Sequence, residues 1–227
     1  MQVKINNQEF LIDHQDNQNY INFWERIHKW EPQTFKIFDK YLNNNSIVAD
    51  IGSWIGPTVL YSAKIAKHVY AFEPDVIALD NLRLNIKLNN LDNITVIDSA
   101  VSIDNYEKYM SMSGNSESKV DFIDSSKQKI KSLTFTKFLK DYNLKNVDFI
   151  KMDVEGHEFQ IIPTMINYLK EFKTPLLLSI HKEELRYSHE LDVLKIILKT
   201  IHTNFINGRT GEEINISDFE TDMLLLF

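Results

Sequence analysis

The chain has 227 residues, 43% of them hydrophobic, a length and composition that let one domain bury a core and still carry a ligand site. Its formal net charge is −7 and it has no dense Lys/Arg block, which argues against a protein that coats nucleic acid. The absence of cysteine excludes a disulfide framework, a thiolate nucleophile and a zinc–thiolate site, so any metal must be held by oxygen or imidazole.

The first twenty residues, with Asp13, His14 and Asp16, lack the cationic start and apolar run of a secretory signal. No stretch approaches the roughly 20 apolar residues of a membrane span, so a cytoplasmic protein with no membrane contact is expected. Val3 to Asp13 alternates around Asn6-Asn7 and predicts a short hairpin. Helix-spaced apolar residues then predict two helices, Tyr20 to Trp30 and Pro32 to Leu42, with Pro32 at a first helical position. Residues 1–45 thus form a hairpin and helical extension ahead of an α/β domain over 46–227, one compact unit overall.

From Ser46 the pattern alternates: strand Ile47 to Ile51, helix Pro57 to Ala66, strand His68 to Phe72, helix Asp75 to Asn89, strand Ile94 to Asp98. Such alternation implies a parallel sheet with right-handed crossovers. A polar segment, Met110 to Lys131, interrupts it as a surface loop or a lid. A helix capped by Ser132 or Thr134, a buried strand Val147 to Met152, a helix around Phe159 to Tyr168 and a strand Leu176 to Ile180 follow. The chain closes with a helix from His189 to Ile201, a strand near Thr203 to Ile206, two turns and a strand Met223 to Phe227, an ending that reads as antiparallel.

Three strand ends carry candidate chemistry. The run Val48-Ala49-Asp50-Ile51-Gly52-Ser53-Trp54-Ile55-Gly56-Pro57-Thr58 is a buried strand, a glycine-containing turn and a helix start, where an open α/β sheet binds ligands. Only Gly52 and Gly56 are present, so the Gly-x-Gly-x-x-Gly dinucleotide fingerprint is missing and a nicotinamide-dependent oxidoreductase is disfavoured. Glu73 ends the next strand, where a carboxylate can accept hydrogen bonds from both hydroxyls of a ribose. Asp98-Ser99-Ala100 ends the third, with an acid and small residues that could flank an adenine ring.

At these residues the chain resembles the FkbM family of S-adenosylmethionine-dependent methyltransferases. The resemblance rests on Asp50-Ile51-Gly52-Ser53-Trp54-Ile55-Gly56, Phe72-Glu73-Pro74, Asn81-Leu82-Arg83-Leu84-Asn85 and above all Phe149-Ile150-Lys151-Met152-Asp153-Val154-Glu155-Gly156-His157-Glu158. Trp54 and Pro57-Thr58 depart from the plain form of the turn. The resemblance implies a Rossmann-like class I methyltransferase fold: a seven-stranded, mostly parallel sheet with a reversed last strand and helices on both faces. It further implies that Asp50, Gly52, Ser53 and Gly56 cradle the methionine part of S-adenosylmethionine and that Thr58 meets its carboxylate. Glu73 would hold the ribose, and Asp98, Ser99 and Ala100 would border the adenine.

Asp153 and Glu155 follow the fourth core strand and His181 the fifth, so all three are expected at the same crevice mouth. Methyl transfer to an alcohol needs alignment and removal of the hydroxyl proton. An unperturbed imidazole titrates near pH 6.5, which makes His181 the candidate base; Asp153 or Glu155 could take that role only with a raised pKa, or orient the base or the acceptor. A divalent ion bound by the three is the other route, since it would lower the hydroxyl pKa. His157 and Glu158 are expected to start the following helix, and Glu31 to cap a helix or close over the cofactor. The expected activity is O-methylation of a sugar, polyol or natural-product acceptor. A catalytically silent cofactor-binding or scaffold protein is the rival.

Overall fold

The computed structural model describes all residues except 112–113, 115–119, 122–127, 186, 188 and 217–221. The predicted hairpin pairs β1 (Gln2–Ile5) with β2 (Gln8–Leu11), Ile5 opposite Gln8. Asn6 takes a φ of 50°, the left-handed conformation a two-residue hairpin turn demands and asparagine tolerates. Helix α1 (Gln18–Glu25) starts where the Asn17 side chain accepts a hydrogen bond from Asn19 N. It stops earlier than the apolar spacing suggested: Ile27–Lys29 tighten into a single 3-10 turn, and α2 (Pro32–Tyr41) begins after Glu31.

The alternating core runs β3 (Ile47–Ile51), α3 (Pro57–Ala63), β4 (His68–Phe72), α4 (Val76–Leu88) and β5 (Ile94–Ile97). Short strands β6 (Ala100–Val101), β7 (Lys108–Met110), β8 (Val120–Asp121), β9 (Gln128–Ile130) and β10 (Ser132–Leu133) follow, with β7, β8 and β9 forming a small antiparallel sheet. Most of the segment read as a loop or lid lies outside the described residues. Thr134 caps α5 (Phe135–Asp141) by accepting from Lys137 N, while Ser132 instead pairs in β10 with β6. The chain ends with β11 (Phe149–Met152), α6 (Glu158–Phe172), β12 (Leu176–Ser179), α7 (Glu190–Ile201), β13 (Phe205–Asn207) and β14 (Met223–Leu226).

Seven strands form one sheet in the order β13-β14-β12-β11-β3-β4-β5. The β3, β4, β5, β11 and β12 pairings are parallel, whereas β14 runs antiparallel to both its neighbours, as the expected reversed last strand. Side chains alternate across the sheet with period two. Val48, Val69, Ala71, Leu177 and Leu225 join the hairpin and the residues of α1 to α4 in one core. Ala49, Ile51, Leu176, Leu178, Leu224 and Leu226 join α5, α6 and α7 in the other. Strand order turns around between β3 and β11: the chain moves outward from β3 through β4 and β5, then returns to β11 on the other side. The carboxyl ends of strands flanking such a reversal leave a crevice for a ligand.

Candidate active site

A cavity of about 540 Å³ opens at that crevice. Of the residues singled out from sequence, Gly52, Ser53, Thr58, Glu73, Ser99, Ala100, Asp153, Glu155 and His181 line it. Asp50, Gly56 and Asp98 do not: Asp50 is fully buried behind the turn, and the half-exposed Asp98 pairs with Lys131 at 3.2 Å.

Backbone geometry builds the turn after β3. Gly52 and Ser53 donate their N–H groups to the Phe72 carbonyl, at 3.1 and 3.0 Å. Gly52 has a φ of 82°, and a Cβ there would stand 1.8 Å from the Asp153 carbonyl oxygen, so glycine is required for the turn to lie against the end of β11. Gly56, with φ 97°, is held similarly close to the Leu82 side chain. Trp54 adopts a φ of 47°, an uncommon conformation for a bulky residue, which turns its N–H onto Glu73 Oε2 at 2.7 Å. Its indole Nε1 donates to the Gly114 carbonyl, which also accepts from Tyr20 Oη, at 2.8 and 2.7 Å. The family-like helix α4 braces the turn from behind: Asn85 is fully buried and donates to the Ile55 carbonyl at 3.1 Å.

Glu73 is 6% exposed, and its second oxygen accepts from Asp75 N at 2.8 Å. Burial pushes its pKa up to about 7, against the opposing pull of the Asp75 and Trp54 N–H groups. A carboxylate oxygen can accept two hydrogen bonds, so each Glu73 oxygen keeps capacity toward the cavity. Thr58 Oγ1 and Asp50 Oδ2 are buried and make no hydrogen bond among the described residues. Such atoms are costly unless satisfied; the Thr58 hydroxyl bears on the Asp50 carboxylate, and Thr58 is one of the residues lining the cavity.

Lys151 is the residue that sequence reading left without a role. It lies opposite Asp50 in the β3–β11 register, inside a strand buried at every position. Its ammonium donates to the Gly52 carbonyl at 2.7 Å and faces Asp50 Oδ1 at 3.5 Å and Asp153 Oδ2 at 3.7 Å. Burial disfavours its charge, but Asp50, Asp153 and Glu31 more than compensate and hold its pKa above the usual lysine value. A lone lysine within the apolar run Phe149-Ile150-Lys151-Met152 was the available signal, because such a residue is almost never buried without partners.

Across the cavity His181 Nε2 faces Asp153 Oδ1 at 3.4 Å and Glu155 Oε2 at 3.5 Å. Glu158, fully buried at the start of α6, accepts from the backbone N of His181 at 2.7 Å and sits 3.2 Å from its Nδ1. Glu158 therefore both begins the helix, as expected, and orients the imidazole. Burial opposes a charged imidazole, yet the Glu158 hydrogen bond and the charges of Glu158, Asp153 and Glu155 raise its pKa to about 9. Three carboxylates thus gather around His181, the candidate base, and favour its charged form. One ligand atom from each of Asp153, Glu155 and His181 lies within 4.8 Å of the others, a spacing that can also hold a metal ion.

The remaining wall comes from outside the alternating core. Phe23 and Trp30 precede α2 and line the cavity, with Phe23 edge-on to Trp54 at 4.6 Å between ring centroids. Arg209, after β13, bonds Asp222 through two nitrogens at 3.0 and 3.1 Å and Glu31 through a third at 2.7 Å. No helix among the described residues is long and apolar enough to cross a membrane.

Comparison with known proteins agrees with this geometry. The Methyltransferase FkbM domain matches residues 46–202. The chain is similar to an FkbM methyltransferase structure from Methylobacillus flagellatus: 17% identity, TM-score 0.52, covering 96% of this chain and 56% of that one. A Streptococcus mutans protein assigned as a methyltransferase, in complex with SAH, is similar over 85% of this chain and 93% of its own, at 14% identity and TM-score 0.50. At these identities the likeness establishes the fold. A ribosomal protein L11 methyltransferase of Clostridium perfringens is 37% identical over 71 residues, 31% of this chain; the match spans only 23% of that relative's length. With the family match covering most of its alternating core, the chain belongs to the FkbM family of S-adenosylmethionine-dependent methyltransferases.

Proposed function

We propose that the protein transfers a methyl group from S-adenosylmethionine to a hydroxyl of a sugar, polyol or natural-product acceptor in the cytoplasm. The observation that carries this is the meeting, in one cavity, of the Glu73 carboxylate with the charged group Lys151, Asp153, Glu155 and His181. Glu73 binds the ribose hydroxyls, the Gly52–Thr58 turn holds the methionine part, and Ser99 and Ala100 border the adenine. Asp98, turned toward Lys131, contributes at most through its backbone. The cofactor supplies a methyl group on a sulfonium, whose S–C bond breaks as the O–C bond forms, the electron pair leaving on sulfur.

The chain's own residues must align the acceptor and take its proton. Asp153, Glu155 and His181 are the candidate groups to align the acceptor and take its proton, with Glu158 holding the imidazole in place. The spacing of the same three ligand atoms supports a second route, a divalent ion that would lower the hydroxyl pKa. Calorimetric titration with S-adenosylmethionine, S-adenosylhomocysteine and NAD tests the cofactor assignment. Binding of the first two without NAD is expected, and Glu73→Ala should weaken it by about 1 to 3 kcal/mol. Response to NAD alone would reject the proposal. Titration with Mn²⁺ in wild type and Asp153→Asn separates the metal route from the metal-free one.

A further inference from the structure

Glu31 lies outside the family-matched residues, between Trp30 and Pro32, yet its side chain lines the cavity. It holds the N-cap position of α2 through its backbone, while its side chain makes no cap bond to a helix N–H. Its backbone is left-handed, φ 42° and ψ 50°, an uncommon conformation for glutamate. The side chain is 8% exposed; Oε1 accepts from Arg209 at 2.7 Å and Oε2 from Thr34 Oγ1 at 3.1 Å. The charges of Asp153 and Lys151 both bear on it.

The balance of charge around it is negative. Lys151 is surrounded by Asp50, Asp153 and Glu31, while Arg209 is shared between Glu31 and Asp222. Among the described residues Lys151 and Arg209 face Asp50, Asp153, Glu31 and Asp222, with Lys182 also bearing on Asp222. His181 shares Asp153 with Lys151 and also faces Glu155 and Glu158. A negatively charged cavity wall suits a ligand that carries a fixed positive charge at its reacting centre.

We propose that Glu31 recognises the charge of the cofactor, favouring the sulfonium of S-adenosylmethionine over the neutral thioether of the demethylated product. The proposal rests on the cofactor assignment above. The two ligands share adenosine and amino-acid parts and differ by a methyl group and one unit of charge. A buried carboxylate acts on that charge over several ångströms, because Coulomb energy falls only as the inverse of distance and the protein screens it less than water. Loss of the charge on transfer removes the attraction and favours product release.

The test compares the affinities of S-adenosylmethionine and S-adenosylhomocysteine by calorimetry in wild type, Glu31→Gln and Glu31→Asp. Glu31→Gln should weaken S-adenosylmethionine by about five- to tenfold, the scale of one partly screened charge, and S-adenosylhomocysteine by less than about twofold. Glu31→Asp keeps the charge and should keep the ratio of the two affinities. An equal loss for both ligands, or no change in either, overturns the proposal and leaves Glu31 a structural tie to Arg209. If wild type binds neither ligand, the cofactor assignment itself fails and this proposal falls with it.

Discussion

The two halves of the cavity are made differently. The half formed by the Gly52–Thr58 turn, Glu73 and Ser99 to Val101 comes from consecutive strand ends and is held by backbone hydrogen bonds, with the Phe72 carbonyl accepting from Gly52 and Ser53. The opposite half gathers charged side chains from Glu31, Lys151, Asp153, His181 and Arg209, far apart in the chain. Backbone contacts of the first kind tolerate little displacement. Charges of the second kind can be exchanged, but only in balanced sets.

The sharpest break in this comparison is at Gly52, where the halves touch. Gly52→Ala would force a Cβ into the Asp153 carbonyl oxygen at φ 82°, and a loss of about 3 to 5 kcal/mol in urea unfolding is expected. A stable variant would show that the turn can move away from β11. Lys151→Met leaves Asp50 and Asp153 without their shared cation and should cost about 3 to 4 kcal/mol, as removal of one partner from a buried pair does. Adding Asp50→Asn should recover part of that loss, since charge rather than volume is the fault; purely additive losses in the double mutant would locate the fault elsewhere.

His202 sharpens the contrast from a distance, because it is a buried group outside the site. It is 2% exposed, and the Thr174 and Phe227 backbone groups only partly offset its burial. Burial, and to a smaller extent the Lys173 charge, lower its pKa to about 4. A histidine whose folded pKa lies below the unfolded value near 6.5 contributes stability above pH 6.5 that is lost as pH falls toward 4. The loss amounts to about 3 kcal/mol. His202→Asn should flatten that acid limb in thermal melts at pH 7, 5.5 and 4.5; an unchanged limb would assign it to carboxylates. The smallest effect is expected at Asp98→Asn, which breaks an exposed pair with Lys131. Stability should change by less than about 1 kcal/mol and cofactor affinity by less than about twofold. A larger affinity loss would return Asp98 to the cofactor site.

Legibility followed the same division. Gly52, Glu73 and Ala100 were found because strand-end position and spacing along one crossover specify them locally, and all three line the cavity. Asp98 fell outside because the direction of a side chain at a strand end depends on its neighbours, and Lys131 draws it away. His181 lines the cavity as expected, but its contact with Glu158 was missed, since Glu158 was read only as a helix start. Glu31 and Arg209 meet across 178 residues, a contact no periodicity contains.

What the sequence alone determined is the alternating α/β order, the reversed final strand, the family and the strand ends that line the cavity, because these are written in short-range patterns of burial and turn chemistry. Only the tertiary structure decided the gathering of Asp153, Glu155 and Glu158 around His181, the burial of Lys151 among Asp50, Asp153 and Glu31, and the meeting of Glu31 and Arg209 at the cavity wall. Ionisation and charge pairing depend on distance through space, which a linear sequence does not hold.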